Sequence, residues 1–171
     1  MKYIFILLLL VICQSSFAQK YGKISIFHRL VINNSENEVM VVNLKDTDVW
    51  ETPGFYQDSV QFTKEGLHEI AMTYGMKISN PELSGMFSTR REIEDKREML
   101  IRNIYHSNYL SGEIHFPENQ PFQIGEIKWL PIEEALSLIS FESIRMFIKP
   151  TYDFPNVVWG GSIAAIREDD K

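Results

Sequence analysis

Acidic side chains around one predicted helix are the residues of this sequence best suited to chemistry. Glu65 and Glu69 are four residues apart, so a helix places both carboxylates on one face, and Asp58 lies shortly before them. Carboxylate oxygens at this spacing could collect one Mg²⁺ or Mn²⁺, with His68 or Glu51 nearby. The alternative, which we prefer, is that Glu65 and Glu69 are ordinary solvated helix residues that repel each other mildly.

A second group of polar residues combines hydroxyls with two cations. Ser88 and Thr89 are followed directly by Arg90 and Arg91, and together they could hold a phosphate or a carboxylate. The competing interpretation is a solvated turn, which the charged residues after it favour. Trp50 is interpreted as a wall of the core or of a pocket, because a large aromatic ring is more often buried than used as a stacking platform.

Two strands, a turn and a helix must position these residues. Residues 23–33 and 38–44 are rich in β-branched side chains and predict two strands that form a hairpin. Thr52-Pro53-Gly54 predicts a turn. Apolar residues at helical spacing predict a helix over residues 61–74. Gly75 then stands where a helix commonly ends in left-handed backbone geometry.

The second half of the chain predicts further strands and helices. Its order, together with the first half, indicates a mixed α/β fold in which helices pack on a largely antiparallel sheet. The predicted elements are strands at 76–89, 99–110 and 125–130, a solvated loop tip or hairpin turn at 90–98, and helices from Pro131 to 139 and over 141–148, while residues 151–165 receive no assignment.

The segment from Trp50 to Met76 resembles the Nudix box, G-x5-E-x7-R-E-U-x-E-E-x-G-U, where U is aliphatic. A second segment, residues 125–135, looks like the late strand and following helix of the same family. The box positions fall on Gly54 (first glycine), Val60 (first glutamate), His68 (arginine), Glu69 and Ile70 (both kept), Met72 and Thr73 (the paired glutamates), and Gly75 and Met76 (both kept).

The resemblance implies a Nudix-like α/β/α sandwich, with a mixed, mostly antiparallel sheet flanked by helices. In the family, the box carboxylates hold Mg²⁺ or Mn²⁺, which neutralises a pyrophosphate and activates water. Here Val60, Met72 and Thr73 replace three of these carboxylates, and methionine is a poor ligand for a hard cation. The resemblance therefore implies a degenerate site with no metal ligand set and no expected cofactor.

Three functional hypotheses follow from this resemblance. The first is a catalytically degenerate domain that binds a small molecule or an envelope protein. The second is a hydrolase of nucleoside-diphosphate-linked compounds that uses relocated carboxylates and Mg²⁺ or Mn²⁺, and the third is an envelope protein whose former cleft is filled. The candidate residues are Glu69 and Glu65 for catalysis, and Gly54, Trp50, Glu51, His68, Arg90 and Arg91 for ligand binding.

Composition excludes several other classes of protein. The chain has 171 residues, 44% of them hydrophobic and 23% charged, which suits one folded domain and argues against global disorder. Its formal net charge of −6, without a run of Lys or Arg, makes nucleic acid or an anionic membrane a poor partner. The single cysteine excludes internal disulfides and a zinc–cysteine cluster.

The first residues resemble a cleavable export signal. Lys2 precedes an apolar run over residues 3–13, and the small residues Ser16 and Ala18 follow. We predict cleavage after Ala18, which divides the chain into a signal peptide, 1–18, and a single Nudix-like domain, 19–171. The apolar run is short for a membrane span. After the signal is cleaved, we expect the chain to have no membrane span. An uncleaved anchor is the alternative. Likeness to Gram-negative signals predicts the periplasm.

Overall fold

A computed structural model describes residues 24–58, 60–93, 96–116 and 123–164. The predicted signal peptide and its cleavage site lie outside the described residues. Within these ranges the elements are β1 (Ile24–Asn33), β2 (Val39–Leu44), β3 (Trp50–Glu51), β4 (Gly54–Tyr56), α1 (Thr63–Thr73), β5 (Met76–Ile78), β6 (Glu82–Ile93), β7 (Lys96–Gly112), β8 (Ile124–Leu130), α2 (Ile132–Leu138), α3 (Glu142–Asp153) and β9 (Trp159–Ala164).

The strands form a mixed sheet in the order β3-β2-β1-β7-β6-β9, with β8 on β2, β4 on β1 and β5 on β7. The centre of the sheet is the parallel pair β1 and β7, whose register runs from Ile24 opposite Met99 to Asn33 opposite Asn108. Strand β6 returns antiparallel to β7, and β9 lies parallel to β6. The predicted hairpin of β1 and β2 is confirmed, with Asn33 opposite Val39.

Two hydrophobic cores lie on opposite faces of the sheet, because successive strand residues point to opposite faces. Val31 faces the core shared with α2 and α3, where Phe147 stacks on Phe87 with ring centroids 4.5 Å apart. Leu30 and Ile32 face the other core, which α1 covers. Helices on both faces of a mixed sheet confirm the predicted α/β/α sandwich.

The helix α1 presents one apolar stripe to the sheet, as its spacing predicts. Leu67 and Ala71 are fully buried. The helix begins at Thr63, two residues later than predicted, because the carboxylate of Asp58 accepts the backbone N–H groups of Val60 and Gln61 in a turn. None of the helices in the described ranges has the length and apolarity that crossing a bilayer requires.

The stretch of residues 90–98 corrects one prediction. Residues 90–93 continue β6 and residues 96–98 open β7, so these charged residues lengthen a hairpin that was predicted to end in a solvated loop or turn here. Arg90 pairs with Met99 and its side chain is exposed, because a strand residue can reach solvent without leaving the strand. The predicted strand over 76–89 is divided into β5 and the start of β6, and the unassigned tail supplies β9.

Gly75, two residues after the end of α1, adopts left-handed backbone geometry, with φ of 74°. A Cβ at this position would overlap the carbonyl oxygen of Glu113 and lie 2.5 Å from Nδ1 of His115. We therefore expect Gly75→Val to lower the free energy of unfolding by about 2 kcal/mol through backbone strain and crowding. Gly161→Ala, where the added Cβ meets open space, is the matched control. Urea unfolding at low protein concentration measures the stability of both variants. A Gly75→Val variant as stable as Gly161→Ala would contradict the need for glycine at this position.

Candidate functional site

The outer face of α1 carries the residues that occupy the box positions. Glu65 and Glu69 are exposed, as is Met72 at 59%, while His68 is half-buried. The hydroxyl of Thr73 donates to the carbonyl of Ile70 at 2.7 Å, within the helix itself. This face therefore presents one carboxylate at a box position, Glu69, beside a thioether and a back-bonded hydroxyl.

The position of the first box glutamate lies in the loop before α1. Val60 there is 87% exposed. In the described part of the chain, no three His, Cys, Asp or Glu residues come together in a way that could hold a metal ion. Mg²⁺ needs several oxygen ligands at near-octahedral geometry and gives up its waters reluctantly. The donor set on the box helix does not fit a resident Mg²⁺ or Mn²⁺.

Other carboxylates close to the box already have partners. The Asp58 carboxylate accepts the backbone N–H groups of the turn before α1, at 2.9 and 3.0 Å. The side-chain amide of Gln61 donates to Glu69. Glu51 accepts from the guanidinium of Arg29 at 3.1 Å. A metal at any of these groups would therefore share the carboxylate with an existing partner.

Arg29 is the most unusual residue beside the box, because its side chain is only 2% exposed. The strand β1 carries it opposite Gly54 of β4. Its Nη1 donates to the carbonyl oxygen of Thr52 at 2.6 Å and to the Thr52 hydroxyl at 3.2 Å, and its Nη2 reaches Glu51. The guanidinium thus ties the turn that opens the box to the central strand.

The electrostatics of Arg29 depend on its acidic partner. Burial lowers the pKa of Arg29, whereas the charge of Glu51 and its hydrogen bond raise it, and the nearby Arg102 lowers it again. The guanidinium also lies over the ring of Phe27, 4.9 Å from its centroid. Its Nε has no hydrogen-bond partner within the described residues. A buried cation of this kind is tolerated mainly because Glu51 compensates it.

A histidine and an asparagine are buried side by side on β1 and β7. Nδ1 of His28 lies 3.3 Å from Nδ2 of Asn103, and His28 is 3% exposed. Burial lowers the pKa of His28. Its Nε2 and the Asn103 Oδ1 have no partner among the described residues. His28 is therefore a buried strand residue whose surroundings favour the neutral imidazole.

Trp50 and Gly54 lie at the two ends of the box turn. Trp50 is buried in the core beneath α2 and α3, in agreement with the sequence interpretation, and Nζ of Lys128 lies 4.5 Å from its ring centroid. A Cβ at Gly54 would lie 2.5 Å from both the His28 carbonyl oxygen and the Phe27 ring. The glycine is thus required by the close approach of β4 to β1, whether or not a ligand binds there.

The predicted ligand-binding residues do not form one cluster. Trp50, Glu51 and Gly54 lie in β3 and β4, whereas His68 lies on α1. Arg90 is exposed on β6, which β1 and β7 separate from the box turn in the sheet order. Arg91 also lies in β6, but its side chain is outside the described part of the structure. The two arginines are therefore not neighbours of the box turn within the sheet.

Arg29 and Asn103 were not among the candidates predicted from the sequence. The sequence shows Arg29 as a lone arginine between Phe27 and the apolar run that begins at Leu30. The alternation of a strand does not by itself call for a charged residue at this position. Its acidic partner, Glu51, was selected for a different role. One cation on a strand and one carboxylate at a turn are the sequence features that join this pair.

Comparison with known proteins shows the fold to which this geometry belongs. Neither a protein-family model nor a curated protein sequence matches the chain. A NUDIX hydrolase from Nitrosomonas europaea is similar in structure, with a TM-score of 0.64 and 14% identity over 85% of this chain and 81% of that one. The MutT protein from Bacillus halodurans gives 0.63 and 17% over 84% and 92%. A UDP-X diphosphatase gives 0.59 and 17% over 84% and 70%.

The chain therefore has a Nudix-like α/β fold, in agreement with the resemblance of its box and late strand–helix segments. Identities of 14% to 17% establish the fold, and they do not transfer an activity.

Proposed function

We propose that this protein is an exported, catalytically degenerate Nudix-like domain that serves as a binding or interaction module. The supporting observation is the outer face of α1, where Glu69 is the one box carboxylate and Met72 is exposed beside it. Hydrolysis of a pyrophosphate by metal-activated water needs a cation held by several oxygens. The residues at the box positions do not provide such a ligand set.

The second candidate function is a hydrolase whose metal ligands have moved to other carboxylates. Glu65 and Glu69 share a helix face, which favours it. Against it, Asp58 caps a turn, and Glu51 is committed to a buried arginine. If Glu51 left that arginine for a metal, it would leave an uncompensated buried charge, which costs several kcal/mol. The degenerate domain is the simpler account of these contacts.

The third hypothesis, a filled cleft, gains support from the same ion pair. Arg29 and Glu51 occupy the space between β1 and the box turn, and Phe27 packs against the guanidinium. In this view the polar interior beside the box stabilises the fold and leaves binding to the surface. A small-molecule site needs an open cleft, whereas a protein-binding surface does not. A ligand screen therefore distinguishes the two.

A phosphate-release screen tests the loss of hydrolysis, with an alkaline phosphatase added in every sample to free inorganic phosphate from the phosphomonoester products. We expect no release above the protein-free control from nucleotide sugars, dinucleoside polyphosphates or ADP-ribose, with either Mg²⁺ or Mn²⁺ present. Release that requires the metal and disappears in Glu65→Gln or Glu69→Gln would instead support relocated carboxylates. Thermal melting with the same compounds, without metal, identifies a bound ligand by stabilisation of the folded state. The unchanged protein without compound is the reference.

Export has its own test. Mass spectrometry of the protein from the envelope of its host should show an N-terminus at Gln19, because Ser16 and Ala18 place small residues before the predicted cut. Envelope protein that retains residues 1–18 would indicate an uncleaved anchor. Intact Met1 on soluble cytoplasmic protein would contradict export.

A further inference from the structure

The strand β9 lies at one end of the sheet. Proteins usually protect such an outer strand against pairing with another chain. Its register with β6 is regular over six pairs, from Gly85 opposite Trp159 to Arg90 opposite Ala164. Ser162 is fixed to Ser88 by a hydrogen bond of 2.7 Å between their hydroxyls. Within the described residues β9 pairs with β6 alone, so half of its backbone N–H and C=O groups face away from the sheet.

Another outer strand, β8, shows the protection that β9 lacks. Within the ranges that the structure describes, it pairs with β2 alone. It carries Glu126 and Lys128, which form an exposed ion pair at 3.1 Å, and Pro131 follows it. Charges and prolines at an edge discourage pairing with another strand. The six residues of β9, Trp-Gly-Gly-Ser-Ile-Ala, contain neither.

Apolar side chains lie immediately before this edge. Phe154, Val157 and Val158 are 56%, 50% and 60% exposed, and Phe154 packs against the ring of Trp159. Gly161 is exposed, and a Cβ there would meet nothing within 4 Å. The strand β9 therefore carries no ionised side chain and is bordered by apolar surface, which is the character of an interaction surface.

We propose that β9 pairs antiparallel with β9 of a second copy of this chain, extending the sheet across a two-fold axis. An unpaired strand edge is satisfied by another strand, which small molecules do not supply. A second copy fits because the chain carries a net charge of −6, so most faces of two copies repel each other, while this edge brings no ionised side chain of β9 against its equivalent. Two-fold pairing is also self-complementary and closes at the dimer.

Symmetry fixes how the two edges meet. A two-fold axis normal to the sheet places a residue opposite itself, and the middle of β9 is Gly161 and Ser162. With the axis at either residue, the two copies of position 161 lie on the same face, roughly 5 to 8 Å apart. Charges introduced at position 161 therefore report directly on this arrangement.

Sedimentation equilibrium on the protein as exported, with its N-terminus recorded, tests the dimer. We expect the unchanged protein to dimerise between micromolar and submillimolar concentration. Gly161→Lys and Gly161→Asp should each weaken self-association about fivefold, and an equimolar mixture of the two should restore it, because opposite charges then meet. Leu110→Lys, which adds the same charge at a 63% exposed strand residue elsewhere, should leave the dimer unchanged.

Hydrogen exchange on the unchanged protein gives a second measurement that does not depend on variants. Amides of residues 159–164 should become protected as the protein concentration rises. A monomer at every concentration, or a dimer that neither Gly161 variant weakens, would overturn the proposal. Protection of these amides that appears only when another protein is added would overturn the second copy as the occupant.

Discussion

Replacing Glu51 by glutamine is expected to lower the free energy of unfolding by about 3 kcal/mol, because it leaves the buried Arg29 charge without its acidic partner. The Arg29 side chain is 2% exposed and the Glu51 side chain 25%, so the arginine loses its solvation almost completely on folding. Thr52 would still accept two hydrogen bonds, but neutral oxygens compensate a charge less well than a carboxylate does.

A double variant distinguishes the charge effect from general disruption. Arg29→Met with Glu51→Gln removes the cation as well, and this double variant should be more stable than Glu51→Gln alone. The control is Glu133→Gln, which breaks a 2.9 Å ion pair between two exposed side chains, Lys149 and Glu133, and should leave stability within experimental error. Urea unfolding measures all four proteins. A double variant less stable than the single one would contradict this interpretation.

Lowering the pH should destabilise the protein through the protonation of His106, at pH values above those at which most carboxylates are protonated. Burial lowers the pKa of His106 to about 4. The unfolded chain, with a histidine pKa near 6.5, binds more protons between these values, so the free energy of unfolding falls as the pH falls through that window. The stabilisation is present above pH 6.5, and roughly 3 kcal/mol of it is lost by pH 4.

The hydrogen bonds of His106 indicate which tautomer of its neutral ring is present. The hydroxyl of Thr151 donates to the carbonyl of Ile148 at 2.7 Å, so its oxygen is left to accept from Nε2 of His106 at 3.0 Å. His106→Gln keeps a donor without a titrating ring and should remove most of the acid loss. His28, whose pKa burial also lowers, contributes to the remainder.

Unfolding curves in urea at several pH values measure this dependence. His115→Gln changes an exposed histidine and serves as the control that should keep the acid loss of the unchanged protein. A His106→Gln variant that loses as much stability between pH 6.5 and pH 4 as the unchanged protein would contradict the assignment to His106.

The parts of the fold that the sequence predicted have strong local signals. The apolar spacing around Leu67 and Ala71 defined α1, and Gly75 marked its end because left-handed geometry excludes most side chains. Pro131 marked the start of α2, since proline suits the first turn of a helix. These features depend on residues close in the chain, which a sequence displays directly.

The features that the sequence did not reveal depend on distant partners. Arg29 and Glu51 are 22 residues apart, and nothing local predicts that they meet. Charged residues such as Arg90 suggested a loop, but pairing with Met99 keeps them in a strand. The tail around Gly160 lacked a strand pattern of its own, and β6 provides the template that orders it.

The proposed function depends most on the inability of the box helix to hold a divalent cation. Calorimetric titration of the unchanged protein with Mn²⁺ tests this claim directly, beside the variant Val60→Glu, Met72→Glu, Thr73→Glu as the positive control. We expect no site tighter than the millimolar range in the unchanged protein and measurable binding in the triple variant, because three carboxylates then join Glu69. Micromolar binding by the unchanged protein, abolished by Glu65→Gln or Glu69→Gln, would contradict the account and favour a relocated metal site.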